Sequence, residues 1–210
     1  MSGGGGAEGP GAPSIPPEET ARANLYALVS RFFYAPADSN LLAEVSRSPA
    51  AADGDEGDSA LSRAWRDLQE TCRTAYPAIV RQEYDGLFIG VGKAAVTPYL
   101  SAYAEPQSPD RYLVGLREQL AAWGLARREA VFEVEDHISG VSDVMRWLIE
   151  SARPLADQRA FFEAFVRPGA DPFFGAVQKA PDLVFYHRVA EFASQFFEVE
   201  RTAFEMDGSA

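Results

Sequence analysis

Asp182-Leu183-Val184-Phe185-Tyr186-His187-Arg188-Val189-Ala190-Glu191-Phe192-Ala193-Ser194-Gln195-Phe196-Phe197 carries the clearest pattern in this chain of 210 residues. Tyr186, Val189, Ala190, Ala193, Phe196 and Phe197 recur at intervals of three and four, the period of a helix with one apolar face. The pattern runs on to about Phe204, so this helix is expected to be a central packing element.

The same rhythm recurs upstream. From Glu18, a helix with Leu25, Leu28, Val29, Phe32 and Phe33 on one face stops at Ala35-Pro36. A short helix is expected over Ser39–Ser46, then one over Leu61–Tyr76 with Leu61, Trp65, Leu68 and Cys72 aligned. Pro77 ends or kinks it. Ala78–Ile89 resumes with Ile79, Val80, Tyr84, Leu87 and Phe88 in one stripe, closed by Gly90 and Gly92. After a loop to about Gln107, Ser108 is expected to cap a helix that has Pro109 in its first position and carries Tyr112, Leu113, Leu116, Leu120 and Trp123. Asp136–Ala152, Leu155–Val166 and a short Pro172–Lys179 complete the series. No stretch alternates as a strand would and no repeat is present, which predicts an all-α fold of eight or nine helices.

Residues 18–207 read as one domain. Residues 1–17 are rich in glycine and proline with almost no apolar content, which predicts a flexible tail. Asp53, Asp55, Glu56 and Asp58 mark a solvated loop, and residues 125–135 a charged connector. The net charge of -12 argues against nucleic acid as a partner and favours cationic ones. Cys72 is the single cysteine, so neither an intrachain disulfide nor a cysteine metal site can form. The sequence has no apolar run long enough to span a membrane and no secretory signal, which predicts a cytoplasmic protein.

Two segments carry the candidate chemistry: Glu83-Tyr84-Asp85-Gly86-Leu87-Phe88-Ile89-Gly90 and Glu133-Val134-Glu135-Asp136-His137. One supplies aromatics and the other carboxylates, as a surface accepting a basic, partly apolar peptide would. A binding protein is expected, not an enzyme. Gly86 to Lys93 fails as a phosphate loop, because five residues separate Gly86 from Gly92 and Ala94 follows Lys93 where Ser or Thr is needed. Asp136 beside His137 could orient a general base, but no nucleophile accompanies the pair, and Asp136 is equally placed to cap the helix that follows. His137 and His187 lie too far apart in sequence to mark a metal site, so no metal or cofactor is expected. Tyr84, Leu87 and Phe88 fit a helix core as well as a binding face. Tyr99 and Tyr103, in a proline-containing loop, can pack their rings and still offer hydroxyls.

With these segments in order, the chain resembles the TorD/DmsD/NarJ family of redox-enzyme maturation chaperones over about residues 20–200. Residues 83–90 are similar to the family's aromatic-x-x-Leu-Phe-x-Gly segment, Pro98-Tyr99 to Tyr103 to its Pro-Tyr-x-x-x-Tyr loop, and residues 133–138 to its Glu-Pro-x-Asp-His segment. The closing helix, with Phe185-Tyr186, fits as well. Val134 replaces the family's proline, Thr97 one of two prolines, and Leu100 a common glutamate. A frequent histidine and tryptophan fall on Phe165 and Gly169. The resemblance implies an all-helical cytoplasmic chaperone that binds the twin-arginine signal peptide, or N-terminus, of a molybdenum-cofactor enzyme subunit until its cofactor is inserted. It places Tyr84, Leu87, Phe88, Pro98 and Tyr99 against the peptide's apolar part, and Asp136 and His137 against its polar or basic part. It also implies contact with cofactor-synthesis proteins. The alternatives it leaves open are an assembly chaperone for a non-exported subunit and a guanine-nucleotide-binding protein. A monomer or weak homodimer is expected.

Overall fold

A computed structural model of the chain describes residues 15–49, 59–90, 94–125 and 135–207. The stretches expected as an N-terminal tail (1–14), an acidic loop (50–58) and most of the charged connector (126–134, with Glu133 and Val134) lie outside them, as do Gly92 and Lys93.

Most of the helices begin where the local sequence supplies a cap or a proline. α1 (Pro17–Tyr34) opens on Pro17, which the sequence placed in the tail, with Glu18 and Glu19 in its first turn. α2 (Ser39–Arg47) is capped by Asp38, which accepts from the Leu41 amide at 2.9 Å, and α3 (Ala60–Thr74) by Ser59, which accepts from the Ser62 amide at 3.1 Å. Ala75 and Tyr76 are extended, Tyr76 because Pro77 follows it, and Pro77 starts α4 (Pro77–Tyr84). A π-helical turn, Asp85–Ile89, continues α4 and ends on Gly90, whose φ of 60° suits glycine.

α5 (Ser101–Ala104) is a single turn inside the expected loop. α6 (Pro109–Ala122) starts on Pro109 without help from the Ser108 side chain, and the Ser108 amide closes a turn onto the Glu105 carbonyl at 3.0 Å. α7 (Ile138–Glu150) is capped by His137, not by Asp136. α8 (Leu155–Phe161), a second π-helical turn (Phe162–Val166) and α9 (Arg167–Lys179) form one run. The short helix expected from Pro172 therefore starts five residues earlier. Pro172 leaves the Pro168 carbonyl without its helical donor, but Ala170, Phe173, Phe174 and Val177 are all buried, and that packing offsets the lost bond. α10 (Phe185–Asp207) closes the fold.

Among the described residues the chain is all helical, apart from one isolated bridge between Tyr99 and His137. α1 packs mainly on α7, α10 on α3 and α9, α2 on α3, and α5 on α9. The six stripe residues of α10 are all buried, as are Leu28, Val29, Phe32 and Phe33 of α1. Their rings interlock edge to face, with Phe33 on Phe173 at 5.2 Å and Phe174 on Phe197 at 5.2 Å. Glu200 of α10 is also buried. Its oxygens accept from Arg22 Nε and Nη2 at 2.8 and 2.7 Å and from the Tyr26 hydroxyl at 2.9 Å, which satisfies the charge and ties α1 to α10. No helix of the described residues is long and apolar enough to cross a membrane.

Candidate functional site

The segments singled out from sequence are joined by backbone hydrogen bonds. The Val96 amide donates to the Leu87 carbonyl at 2.9 Å, fastening the loop that follows α4 to its π-helical turn. Tyr99 and His137 then form the antiparallel bridge, with the Ile138 amide donating to Pro98 O and the Leu100 amide to Asp136 O, each at 2.9 Å. The Tyr99 ring stands edge-on to the His137 imidazole at 5.5 Å. All seven predicted site residues therefore belong to one continuous assembly.

Their exposure divides them. The Tyr84 hydroxyl donates to the carbonyls of Phe33 and Tyr34, at 3.2 and 3.0 Å, and Leu87 is buried. Phe88, Pro98 and Tyr99 are half-buried, although the Phe88 ring also leans on Phe33, Tyr84, Phe173 and Tyr186. Asp136 is only 1% exposed, and its Oδ2 accepts from the Ser101 amide at 3.1 Å, at the start of α5. His137 is 4% exposed; its Nδ1 lies 2.6 Å from Ser139 Oγ and accepts from the Ser139 amide at 3.1 Å. Glu135 meets Arg117 of α6 at 3.1 Å. Tyr103 packs against Phe173 and donates to the Thr97 carbonyl at 3.0 Å.

Behind this assembly, the Tyr112 hydroxyl donates to the Phe165 carbonyl. Burial, and then the Asp136 carboxylate, push the pKa of that hydroxyl well above its ordinary value, so it is a fixed donor at neutral pH. Two positions at which the sequence leaves the family pattern also meet here. A Cβ on Gly169 would lie 2.6 Å from both Leu100 Cβ and Leu100 O, so α9 can approach the loop this closely only because position 169 has no side chain. Leu100 is fully buried against it.

Sequence reasoning gave Glu83 no role. In the structure its Oε1 accepts from the Val184 and Phe185 amides at 3.1 and 3.3 Å, and its Oε2 from the Phe185 and Tyr186 amides at 3.0 and 3.1 Å. It thereby caps the N-terminus of α10 from α4, with the helix dipole favouring its charge. Its place in the quoted segment was visible, but its target a hundred residues away was not.

Beside Glu83 lies a groove of about 450 Å³ lined by Ile79, Leu87, Ala95 and residues 180–184. It adjoins a second hollow, lined by Arg81, Asp85, Ile89 and Gly90, with Gln82 and Gly86 common to both. Cys72 offers no nucleophile, since burial pushes its thiol up to about 12.

No curated protein matches the chain. The family model described as nitrate reductase delta subunit matches residues 55–175, more than half of the sequence and the whole of the assembly from Glu83 to Gly169. The chain therefore belongs to the nitrate reductase delta subunit family, a family of chaperones for molybdoenzyme assembly rather than of catalysts.

Proposed function

We propose that this protein is a cytoplasmic chaperone that binds the N-terminal segment of a molybdenum-cofactor enzyme's catalytic subunit, in the form of a twin-arginine signal peptide, and holds it until the cofactor is in place. The observation that carries this reading is the half-exposed strip of Phe88, Pro98 and Tyr99, braced from behind by buried hydrogen bonds, on a chain of net charge -12. Such a peptide joins a basic region to an apolar block, and an aromatic strip on an acidic protein complements both halves. In this reading Phe88, Pro98 and Tyr99 touch the peptide. Tyr84, Leu87, Asp136 and His137 hold those residues in register.

Titration of the full chain with a synthetic peptide bearing two adjacent arginines and a leucine-alanine block tests the reading. Saturable binding is expected, weakening as salt rises and as the arginines are replaced by glutamine. Absence of saturable binding, or affinity indifferent to both changes, would overturn it.

A variant of this function has a non-exported subunit as its client. Affinity capture from the host, with the retained molybdoenzyme subunit identified by mass spectrometry, separates the two. A twin-arginine pair near the client's N-terminus supports the exported form, and its absence the other.

A further inference from the structure

The groove beside Glu83 has features that packing alone does not require. The π-helical turn Asp85–Ile89 borders it and the adjoining hollow, with Gly86 and Leu87 on the groove and Asp85, Gly86 and Ile89 on the hollow, and its far wall includes Asp182, a non-glycine residue at φ 60°. Single π turns and left-handed non-glycine residues are unfavourable backbone states that gather at functional sites. Ile79, Ile89 and Val184 stand around the groove 54%, 64% and 70% exposed, a costly way to place three large aliphatic side chains if nothing covers them. Asp85 and Asp182 edge the groove without an ion-pair partner among the described residues. The one arginine in the lining, Arg81, does not balance them on a chain of net charge -12.

We infer that this groove, running on both sides of Gln82 and Gly86, is a second seat for the client peptide: its apolar block lies against Ile79 and Val184 while its basic end meets Asp85 and Asp182. This rests on the peptide-binding reading above and extends it. Leu87 joins the two surfaces, because it is one of the residues bordering the groove and its carbonyl holds Val96, two residues before Pro98. The Glu83 carboxylate shapes the groove by pinning residues 184–186, where its far wall ends and α10 begins, to α4. An acidic rim with an apolar floor fits a basic amphipathic peptide better than a second copy of this acidic chain, which it would repel.

Gly86 makes the inference testable without disturbing the core. A Cβ added there meets no atom within 4 Å, so a leucine at this position fills the groove instead of the interior. Fluorescence anisotropy of the labelled twin-arginine peptide would be measured on the full chain beside its Gly86→Leu and Val184→Asp variants, with thermal melting and sedimentation of each. Gly86→Leu is expected to melt at or above the wild-type temperature, and Val184→Asp, whose new carboxylate lies beside Glu83 and Asp182, slightly below it while staying folded. Gly86→Leu is expected to weaken binding about tenfold or more, the effect of one leucine-sized side chain losing its burial. Affinity unchanged in both variants, while Tyr99→Ala loses it, would overturn the groove and leave the peptide-binding reading standing. Self-association lost in Gly86→Leu with peptide affinity intact would assign the groove to a second copy and overturn the inference. A wild-type protein that binds no peptide would remove both readings.

Discussion

Asp136 and Glu83 are both carboxylates that reach across the fold to backbone amides, and they do so to different extents. Asp136 is enclosed and receives one amide, that of Ser101, to hold a short turn beside the loop of Pro98 and Tyr99. Glu83 is half-buried and receives the amides of three consecutive residues at the head of the longest helix. A resemblance marks the first as a ligand contact and says nothing of the second. The difference teaches that a carboxylate in a functional segment can serve the backbone that shapes the site, and that its number of amide partners measures how much shape depends on it.

Replacing Glu83 by alanine gives the largest effect. The first amides of α10 then face the groove without an acceptor, and loss of one charged acceptor costs about 3 kcal/mol. Urea unfolding is expected to show that loss with an unchanged slope, and Glu83→Gln, which keeps one acceptor oxygen, should recover part of it. A midpoint unmoved in Glu83→Ala would mean that water replaces the carboxylate freely, and the contrast with Asp136 would disappear.

Gly169→Ala strikes the Asp136 side of the comparison through packing. Its new methyl cannot coexist with the Leu100 backbone at 2.6 Å, so either α9 or the loop moves, at a cost of about 2 kcal/mol. The loop carries the Ser101 amide, so faster hydrogen exchange at Ser101 should accompany the loss. Protection at Ser101 with full destabilisation would show that α9 yields instead, and that Asp136 holds the loop more firmly than a single bond implies.

The aliphatic and aromatic stripes of α1, α3 and α10 were legible because burial of one helix face imposes a three-and-four spacing that the sequence displays, whereas Ile79, read into the stripe of α4, stands 54% exposed because it faces the groove and not the core. The start of α9 was not. Pro172 signals a break, and only the tertiary burial of Phe173 and Phe174 shows why the helix runs through it. Gly169 left no pattern either, since its role is to lack a side chain opposite Leu100. The assembly of residues 83–90, 97–103 and 135–138 was legible as a unit through its resemblance. The division of labour inside it was not, because the same carboxylate chemistry that would hold an arginine also holds a main-chain amide, and a sequence distinguishes neither the partner nor its distance. His137 shows the same limit, standing at the cap position that sequence reasoning gave to Asp136.

Substitution of Asp136 separates bracing from direct contact, with the smallest expected change in stability. Asparagine keeps an oxygen where Oδ2 accepts the Ser101 amide and removes only the charge, whereas alanine removes both. Asp136→Ala should therefore destabilise by about 1 kcal/mol, and Asp136→Asn by less. If the carboxylate serves the loop, Asp136→Asn binds the twin-arginine peptide within about twofold of wild type, and Asp136→Ala loses affinity because Tyr99 is no longer held. If the charge itself meets an arginine, both variants lose about tenfold, the worth of one charge-assisted bond, while the asparagine variant keeps its fold. That second result would require the loop of residues 97–101 to swing away from α7 on binding, because a side chain 1% exposed cannot reach a guanidinium in the closed form. Exchange at the Leu100 and Ser101 amides with peptide bound would then be faster than without it, whereas a brace predicts slower exchange.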